Sequence, residues 1–271
     1  MRRNFVEVLR SGKVSLKKEY SKLYDLFYGK NEQYEKSLAD FVSENFFAYH
    51  FRGTCLSLDE FDETYGFHFV EQPQNFDIDY LVSFCEYVYN LILYLQRSCG
   101  VEQTNFFCLQ QINQVIETIA YTQCHENGFT IFVPKDNAAI AVSELEQIPK
   151  EASYKVIAYN HHAMRGDLER KRQTLLWFSD LLEPKRKNLE AVDRNFTSDL
   201  FYAFNTFNIR HNNRDCEGSK YKKPIGDLTN KQLEEWYDEV YQMCLLAFMR
   251  LEQVERKHCF DALKNKIENI K

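Results

Sequence analysis

Apolar side chains recur every three or four residues through most of this chain, the spacing that places them on one face of an α-helix. In the first half, four stretches have this spacing: 16–28, 38–49, 78–95 and 112–119. Gly29 follows the first of them and is expected to end it. The segment Ser57-Leu58-Asp59-Glu60 has the form of a capping box, which predicts a short helix through Tyr65.

One segment in the middle of the chain favours a strand. Phe129-Thr130-Ile131-Phe132-Val133 is rich in β-branched and aromatic residues and lies between Asn127-Gly128 and Pro134. The next apolar run, residues 138–142, is open to two interpretations: it pairs with this strand, or it begins a helix capped by Asp136. Pro149 ends the region and marks a plausible domain boundary.

The second half of the chain again has helical spacing. A long helix is predicted from about Tyr154 to Leu182, and Glu183-Pro184 should bend or stop it. Further helices are predicted around residues 189–192 and 200–208, followed by a polar loop from Asn212 to Asp227. Thr229-Asn230-Lys231-Gln232 is a second capping box and opens a long helix with apolar residues as far as Leu251.

Composition narrows the class of protein. The hydrophobic fraction is 44%, with 22 Phe and 17 Tyr, which favours a well-filled core over disorder. The net charge of -6 does not favour nucleic acid in bulk, so phosphate binding would need a local basic patch. Eight scattered Cys, an N-terminus without a signal-peptide pattern and no apolar run long enough to span a bilayer predict a cytoplasmic protein with reduced thiols.

The segment from Phe207 to Asp215 contains the strongest candidate for chemistry. It gathers two Arg, one His and three Asn at the end of an apolar helical pattern. Arg holds phosphate oxygens through its planar fork, and His moves protons near neutral pH. Arg210 and His211 are the predicted catalytic residues. The predicted substrate-binding residues are Asn208, Asn212, Asn213 and Arg214. A helix C-terminus also favours cationic and Asn side chains, so a purely structural role stays open.

The C-terminal half resembles a known family. A helix that ends in Ile209-Arg210-His211-Asn212-Asn213, then a polar loop and a helix containing Leu233-Glu234-Glu235-Trp236-Tyr237, resembles the HEPN domains of bacterial abortive-infection proteins. The resemblance covers roughly residues 154–251. It implies a compact helical bundle, frequently dimeric, and metal-independent cleavage of RNA. The family motif places a His a few residues after its Arg; here His211 follows Arg210 at once, and no His stands at that spacing.

Two other groups of residues contain side chains that can bind metals. Asn160-His161-His162 stands close to Arg165 and Asp167, but adjacent His on a helix diverge by about 100° and do not chelate one ion together. The pairs Cys124-His125 and His258-Cys259 lack zinc-ligand spacing. We therefore expect no metal and no cofactor.

These observations predict a mostly α protein. Residues 1–149 form a helical N-terminal region with a small β element, and residues 150–271 form a HEPN-like helical bundle. The leading hypothesis is a metal-independent RNase that acts in abortive infection or phage defence, as a homodimer with RNA as its partner. The alternative is a non-catalytic binding module for a partner protein, a nucleotide or RNA. No membrane association is expected.

Overall fold

The computed structural model describes residues 14–30, 35–99 and 103–269. The chain forms two compact units, Met1–Phe132 and Val133–Lys271. The domain division predicted after residue 149 therefore falls inside the second unit. The mostly α fold with a small β element is confirmed, because helices dominate and the described strands form one two-stranded sheet.

The first unit is helical with a terminal hairpin. Its elements are α1 (Leu16–Tyr28), α2 (Leu38–Glu44), a 3₁₀ turn (Phe46–Ala48), α3 (Leu58–Tyr65), α4 (Ile78–Cys99), α5 (Gln103–Thr118), β1 (Tyr121–Glu126) and β2 (Phe129–Pro134). Gly29 follows α1 directly, as its position in the sequence predicts. The Ser57 side chain accepts from the Glu60 amide and so starts α3.

Aromatic rings fill the core of the first unit. Phe84 on α4 is fully buried, and its ring lies 5.1 Å from Tyr20 of α1 and 5.1 Å from Phe69. Phe27 is also fully buried and packs edge-on against Phe84 and Tyr87. Edge-to-face geometry suits aromatic quadrupoles, so this cluster fixes α1 against α4.

The hairpin turns through two residues with left-handed backbone. Asn127 has φ 51° and Gly128 has φ 90°, the conformation of a two-residue turn of type I′. The strand at Phe129 was predicted, whereas β1 was not, because four of the six residues of Tyr121–Glu126 are polar and do not mark it as a strand on composition. On β2, the Asn90 side chain exchanges two hydrogen bonds with the backbone of Thr130, each 2.7 Å. The Glu86 carboxylate accepts a third from the Phe132 amide.

The second unit is a helical bundle. Its elements are α6 (Asn137–Ser143), α7 (Tyr154–Ala158), α8 (Leu168–Leu182), α9 (Arg186–Val192), α10 (Arg194–Thr206), α11 (Lys223–Gly226) and α12 (Asn230–Glu268), with 3₁₀ turns at Lys150–Ala152, His162–Met164 and Glu183–Lys185. The open question at residues 138–142 is resolved as a helix, because the Asp136 carboxylate accepts from the Ala138 and Ala139 amides.

The prediction of one continuous helix from residue 154 to residue 182 is wrong, because the segment forms two helices, α7 and α8. Gly166 has φ 76°, which no right-handed helix accommodates, and Asp167 caps the new helix α8 by accepting from the Arg170 amide. The apolar spacing on both sides of the break is similar, so periodicity alone did not reveal it. The break separates α7 from α8 and creates the turn that carries His161 and His162.

Helix α12 is the centre of the second unit. It is 39 residues long and begins with the predicted capping box, in which Thr229 and Gln232 satisfy each other's backbone amides. Its fully buried residues Cys244 and Phe248 pack in one apolar core with Phe178 of α8 and Phe204 of α10. The three helices thus form the frame that carries the loop after α10. No helix in the described ranges has the length and apolar character needed to cross a bilayer.

The first unit predicts one pH effect on stability. Burial raises the pKa of Asp62 to about 6, against an ordinary value of 3.8, and a hydrogen bond of 2.8 Å from the Tyr87 hydroxyl only partly offsets this. A raised carboxyl pKa means that the folded state binds the proton more tightly. Stability contributed by protonated Asp62 is therefore complete below about pH 4 and lost as the pH rises to about 6.

Asp62→Asn should remove that loss. We expect the variant to exceed the wild type by about 1 kcal/mol in free energy of unfolding at pH 7, and to show no such gain at pH 4; the figure allows for the partial exposure of Asp62. Urea unfolding at the two pH values measures it. Glu63→Gln, an exposed neighbour on α3, is the control. Equal gains at both pH values would contradict the assignment.

Candidate functional site

The predicted site residues all lie in one loop, residues 207–222, which we call the Arg-His loop. It begins where α10 ends at Thr206. Asn208 adopts a left-handed conformation with φ 60°, which Asn tolerates better than most residues. Its carbonyl oxygen accepts a hydrogen bond of 2.8 Å from the Arg172 Nε on α8. The loop is therefore attached to the bundle at its first turn.

Asn213 organises the interior of the loop. Its side chain is 1% exposed, its Oδ1 accepts from the Asn208 amide at 3.2 Å, and its Nδ2 donates to the Lys220 carbonyl at 2.9 Å. The backbone carbonyl of Asn213 also accepts from the Lys222 amide. These bonds close the loop on itself. The role seen for Asn213 is thus structural, although it was predicted as a substrate contact.

Arg214 and Asn208 also bond within the chain. The Arg214 guanidinium donates to the Asn230 side chain at 3.0 Å and to the Leu228 carbonyl at 2.9 Å, which ties the loop to the start of α12. The Asn208 Oδ1 accepts from the Arg214 amide at 3.3 Å. Both side chains are half-buried. Both residues thus lie in the loop, but their side chains form hydrogen bonds within the protein.

Arg210 is anchored to the end of α8. Its Nε donates to the Ser179 hydroxyl at 2.9 Å and its Nη2 to the Ser179 carbonyl at 3.1 Å, and it forms an ion pair with Glu183. The guanidinium carbon also lies 5.5 Å from the ring centre of Phe201. Its side chain is 18% exposed. Ser179 and Glu183 were not predicted as part of the site, because no local pattern in the sequence links them to Arg210.

His211 and Asn212 differ from their neighbours, because both are exposed. They stand at the tip of the loop, between anchored Arg210 and buried Asn213. The His211 carbonyl accepts from the Asn213 amide at 2.9 Å, which fixes the backbone at this point. The loop therefore presents an imidazole and an amide to solvent from a backbone held on both sides. An imidazole in this position can exchange protons with a bound substrate.

The Arg-His loop contains more cationic than anionic side chains. The Arg-His loop carries Arg210, Arg214, Lys220 and Lys222 against Asp215 and Glu217. Lys222 donates to the Thr206 hydroxyl at 2.8 Å and lies over the Tyr202 ring, whose own side chain is exposed. The loop thus combines an excess of cations with an exposed aromatic ring. Phosphate groups and stacked bases are the chemistry that such a surface suits.

A second polar region lies between α8 and α12, around the cluster Asn160-His161-His162. A cavity of about 310 Å³ is lined there by Tyr159, Asn160, His161, Lys171, Asp238 and Tyr241, among others. Its lining includes part of an ion-pair network that is centred on the buried Lys171 and reaches the half-exposed Asp238. Lys171 is 4% exposed and lies 2.8 Å from Glu234 and 2.7 Å from Asp238.

Hydrogen bonds complete this network. The Tyr159 hydroxyl donates to Asp238 at 3.0 Å, and its ring stacks on Tyr241 at 4.0 Å. Burial tends to raise the pKa of Glu234, but hydrogen bonds from Lys171 and the Gly166 amide outweigh it, and the pKa ends below its ordinary value. Buried charges are stable only when paired in this way. The network joins α8 to α12 by pairing Lys171 with both Glu234 and Asp238, so its role is structural.

The His161 side chain also has a structural role. Its Nδ1 accepts from the Ala163 amide at 3.2 Å and so caps the 3₁₀ turn His162–Met164. The seven Cys whose side chains are described are free thiols. Comparison of the chain with models of protein families, with curated proteins and with solved structures finds no match in any of the three. The assignment of the Arg-His loop as the candidate site is therefore based on its geometry alone.

The loop geometry predicts unequal effects at two adjacent asparagines. Asn213→Ala should lower the free energy of unfolding by about 2 kcal/mol, because the Asn208 amide and the Lys220 carbonyl lose their partner in a buried place. Asn212→Ala, at an exposed position, is the matched control and should change stability by less than about 0.5 kcal/mol. Urea unfolding of the two variants compares them. Similar losses would show that Asn213 does not hold the loop together.

Proposed function

We propose that the second unit is a HEPN-like bundle that binds RNA at the Arg-His loop and cleaves it without a metal, in cytoplasmic defence against phage. The observation that supports this most is the exposure of His211 on a loop whose neighbouring residues Arg210 and Asn213 are bonded inside the fold. Rigid support of one exposed imidazole is the arrangement that proton transfer requires, since a catalytic group must be held in place by its surroundings.

The proposed reaction is attack of a ribose 2′-hydroxyl on the adjacent phosphorus. His211 takes the proton from the 2′-oxygen, the bond from phosphorus to the 5′-oxygen breaks, and the products are a 2′,3′-cyclic phosphate and a 5′-hydroxyl end. Cations near the phosphate offset the negative charge that builds on its oxygens. Lys220, Lys222 and the exposed part of Arg210 supply them. Arg210 also positions His211 by fixing the preceding backbone to α8.

One imidazole cannot act as the base and as the acid of this reaction at the same time. The leaving 5′-oxygen needs a proton while the 2′-oxygen loses one. A homodimer would supply a second His211, and this agrees with the dimeric bundles that the family resemblance implies. We therefore include a homodimer in the proposal, with the two Arg-His loops forming one composite site.

A second candidate function is a non-catalytic module that binds RNA or a partner protein. A specific observation favours it: the Arg210 guanidinium donates to Ser179 and pairs with Glu183, so its fork is not directed wholly at a substrate. The His that the HEPN motif places after its Arg also has no counterpart at that spacing. Binding without cleavage needs only the basic loop surface.

Cleavage in the presence of EDTA separates the two functions. Purified wild type should cut single-stranded RNA and leave 2′,3′-cyclic phosphate ends, read by end-specific labelling. His211→Ala should lower the rate by about a hundredfold or more, the loss typical of a general acid or base. Arg210→Lys should also lose activity, because Lys lacks the fork that engages Ser179 and Glu183.

Asn212→Ala and binding measurements provide the controls. Asn212→Ala keeps His211 and the loop backbone, so it should retain more activity than His211→Ala. RNA affinity, measured by fluorescence anisotropy, should change little in His211→Ala if the imidazole acts in the chemical step. Wild type that binds RNA without cutting it would reject the RNase in favour of the binding module, and wild type that does neither would reject both roles for RNA.

A further inference from the structure

Two aromatic rings stack on the surface of the second unit where the Arg-His loop begins. Phe207 is the first residue of the loop, and the centre of its ring lies 4.8 Å from that of Trp236 on α12, with 16° between the two planes. Trp236 is 46% exposed, although Trp is highly buried on average in folded proteins. Phe207 covers one face of the indole, so the exposed part of Trp236 is its edge and its other face. We call this pair of rings the aromatic platform.

The backbone that carries both rings of the platform is fixed by hydrogen bonds and burial. Asn208 follows Phe207 directly, and its carbonyl accepts from the Arg172 Nε at 2.8 Å. The same carbonyl accepts from the Tyr237 hydroxyl at 3.4 Å. Tyr237 follows Trp236 directly and is 1% exposed. The platform is therefore formed before a ligand arrives, which lowers the entropy cost of binding.

Two arginines lie beside the aromatic platform. The Arg172 Nε donates to the carbonyl of the residue after Phe207, and the Arg214 guanidinium is bonded at the start of α12. Burial raises the pKa of the Tyr237 hydroxyl, and the positive charges of both arginines act against this rise, so both lie near this part of α12. A guanidinium has five N–H donors, and the bonds within the described residues use two of each, including one from Arg172 to Glu169. Phosphate oxygens can accept from the others.

Carboxylates border the platform further along α12. Glu235 precedes Trp236, Glu239 follows it by one helical turn, and both are exposed. Arg214, in contrast, is bonded at the beginning of the helix. A phosphate would be repelled by Glu239 and attracted by Arg214. The charges therefore favour a strand whose base lies over the indole and whose phosphates lie toward the start of α12.

We propose that an unpaired base of single-stranded RNA stacks on the face of the Trp236 indole that Phe207 leaves uncovered, while Arg172 and Arg214 hold a neighbouring phosphate. The inference rests on the proposed function, because it takes RNA as the ligand of the Arg-His loop, and it adds which form of RNA the loop accepts. Aromatic side chains bind single strands in this way, since every base has a flat face to stack. Bases in a duplex stack on one another, so the platform selects single strands.

The aromatic platform lies within reach of the proposed catalytic imidazole. Phe207 precedes His211 by four residues in the same loop. Four residues span at most about 14 Å even when fully extended. A strand of a few nucleotides can therefore contact the platform with one base and His211 with its backbone. In this arrangement Trp236 positions the RNA and takes no part in the chemical step.

Tryptophan fluorescence tests the stack directly. The chain has two Trp, so Trp177→Phe leaves Trp236 as the only indole. In this variant a single-stranded RNA of about eight nucleotides, a usual length for such sites, should quench the fluorescence as it saturates the protein. A duplex of the same sequence should not quench it. Saturable binding of the single strand, followed by anisotropy, without any quenching would overturn the proposal.

Substitutions at Trp236 measure what the stack contributes to affinity. Trp236→Leu should raise the dissociation constant for single-stranded RNA by about tenfold or more, because the apolar side chain stays but the ring is lost. Trp236→Phe keeps an aromatic ring and should retain most of the affinity. Phe260→Leu is the matched control, since it removes a 57% exposed ring from the same helix 24 residues further along. Equal effects of Trp236→Leu and Phe260→Leu would contradict the assignment.

Cleavage and nucleotide binding, measured on the same proteins, separate this inference from the proposed function. RNA that quenches Trp236 and is not cut would keep the platform and reject the RNase. RNA that is cut equally fast by wild type and Trp236→Leu, and does not quench, would keep the RNase and reject the platform. Adenosine monophosphate tests a free nucleotide as the source of the base. Quenching by this nucleotide at lower concentrations than by the RNA would overturn the proposal in favour of a nucleotide site.

Discussion

The second unit is organised by the need to cover the apolar face of α12. That helix is too long for any single neighbour, so α8 and α10 share the task and meet in one core around Phe178, Phe204 and Phe248. Burial of each of these side chains stabilises the unit by about 2 kcal/mol. Every other feature of the unit is fixed relative to this core, and the Arg-His loop exists because the chain must return from α10 to the start of α12.

The loop shows why a polar cluster in a sequence is ambiguous. Asn208, Asn213 and Arg214 satisfy backbone groups that would otherwise be buried without partners, and Arg210 does the same for the end of α8. Such bonds are what a tight, irregular connection requires. The two predicted site residues that are exposed and do not serve the fold in this way are His211 and Asn212, and of the two only His211 carries a group that can move a proton. A functional argument is therefore strongest for His211 and weaker for the residues that hold it.

Local signals in the sequence predicted the ends of several helices. Gly29, the Ser57 cap and the Thr229 capping box mark helix ends through bonds made within a few residues, so each is visible without knowledge of the rest of the chain. The break at Gly166 was missed because helical spacing resumes after it. β1 was missed because its pairing with β2, rather than its own composition, makes it a strand.

The site was less predictable than the helices. That Lys171 is buried depends on Glu234 and Asp238, which come from a helix more than 60 residues further along, and no local pattern reveals such a partner. The same is true of Arg210, whose partners are Ser179 on α8 and Glu183 in the 3₁₀ turn that follows α8. Residue type is what points to the Arg-His loop as the candidate site. Which of its members are available to a substrate depends on long-range bonds.

In the hairpin of the first unit, backbone groups on the outer edge of β2 are hydrogen-bonded to side chains of α4. A strand edge with free amide and carbonyl groups can recruit a strand from another molecule and start aggregation. Here the Asn90 amide and the Glu86 carboxylate from α4 occupy those groups on β2. A helix thus serves as a third strand would, but without an edge that can propagate. The two polar residues of α4 thus cover the outer edge of β2, where another strand could otherwise add.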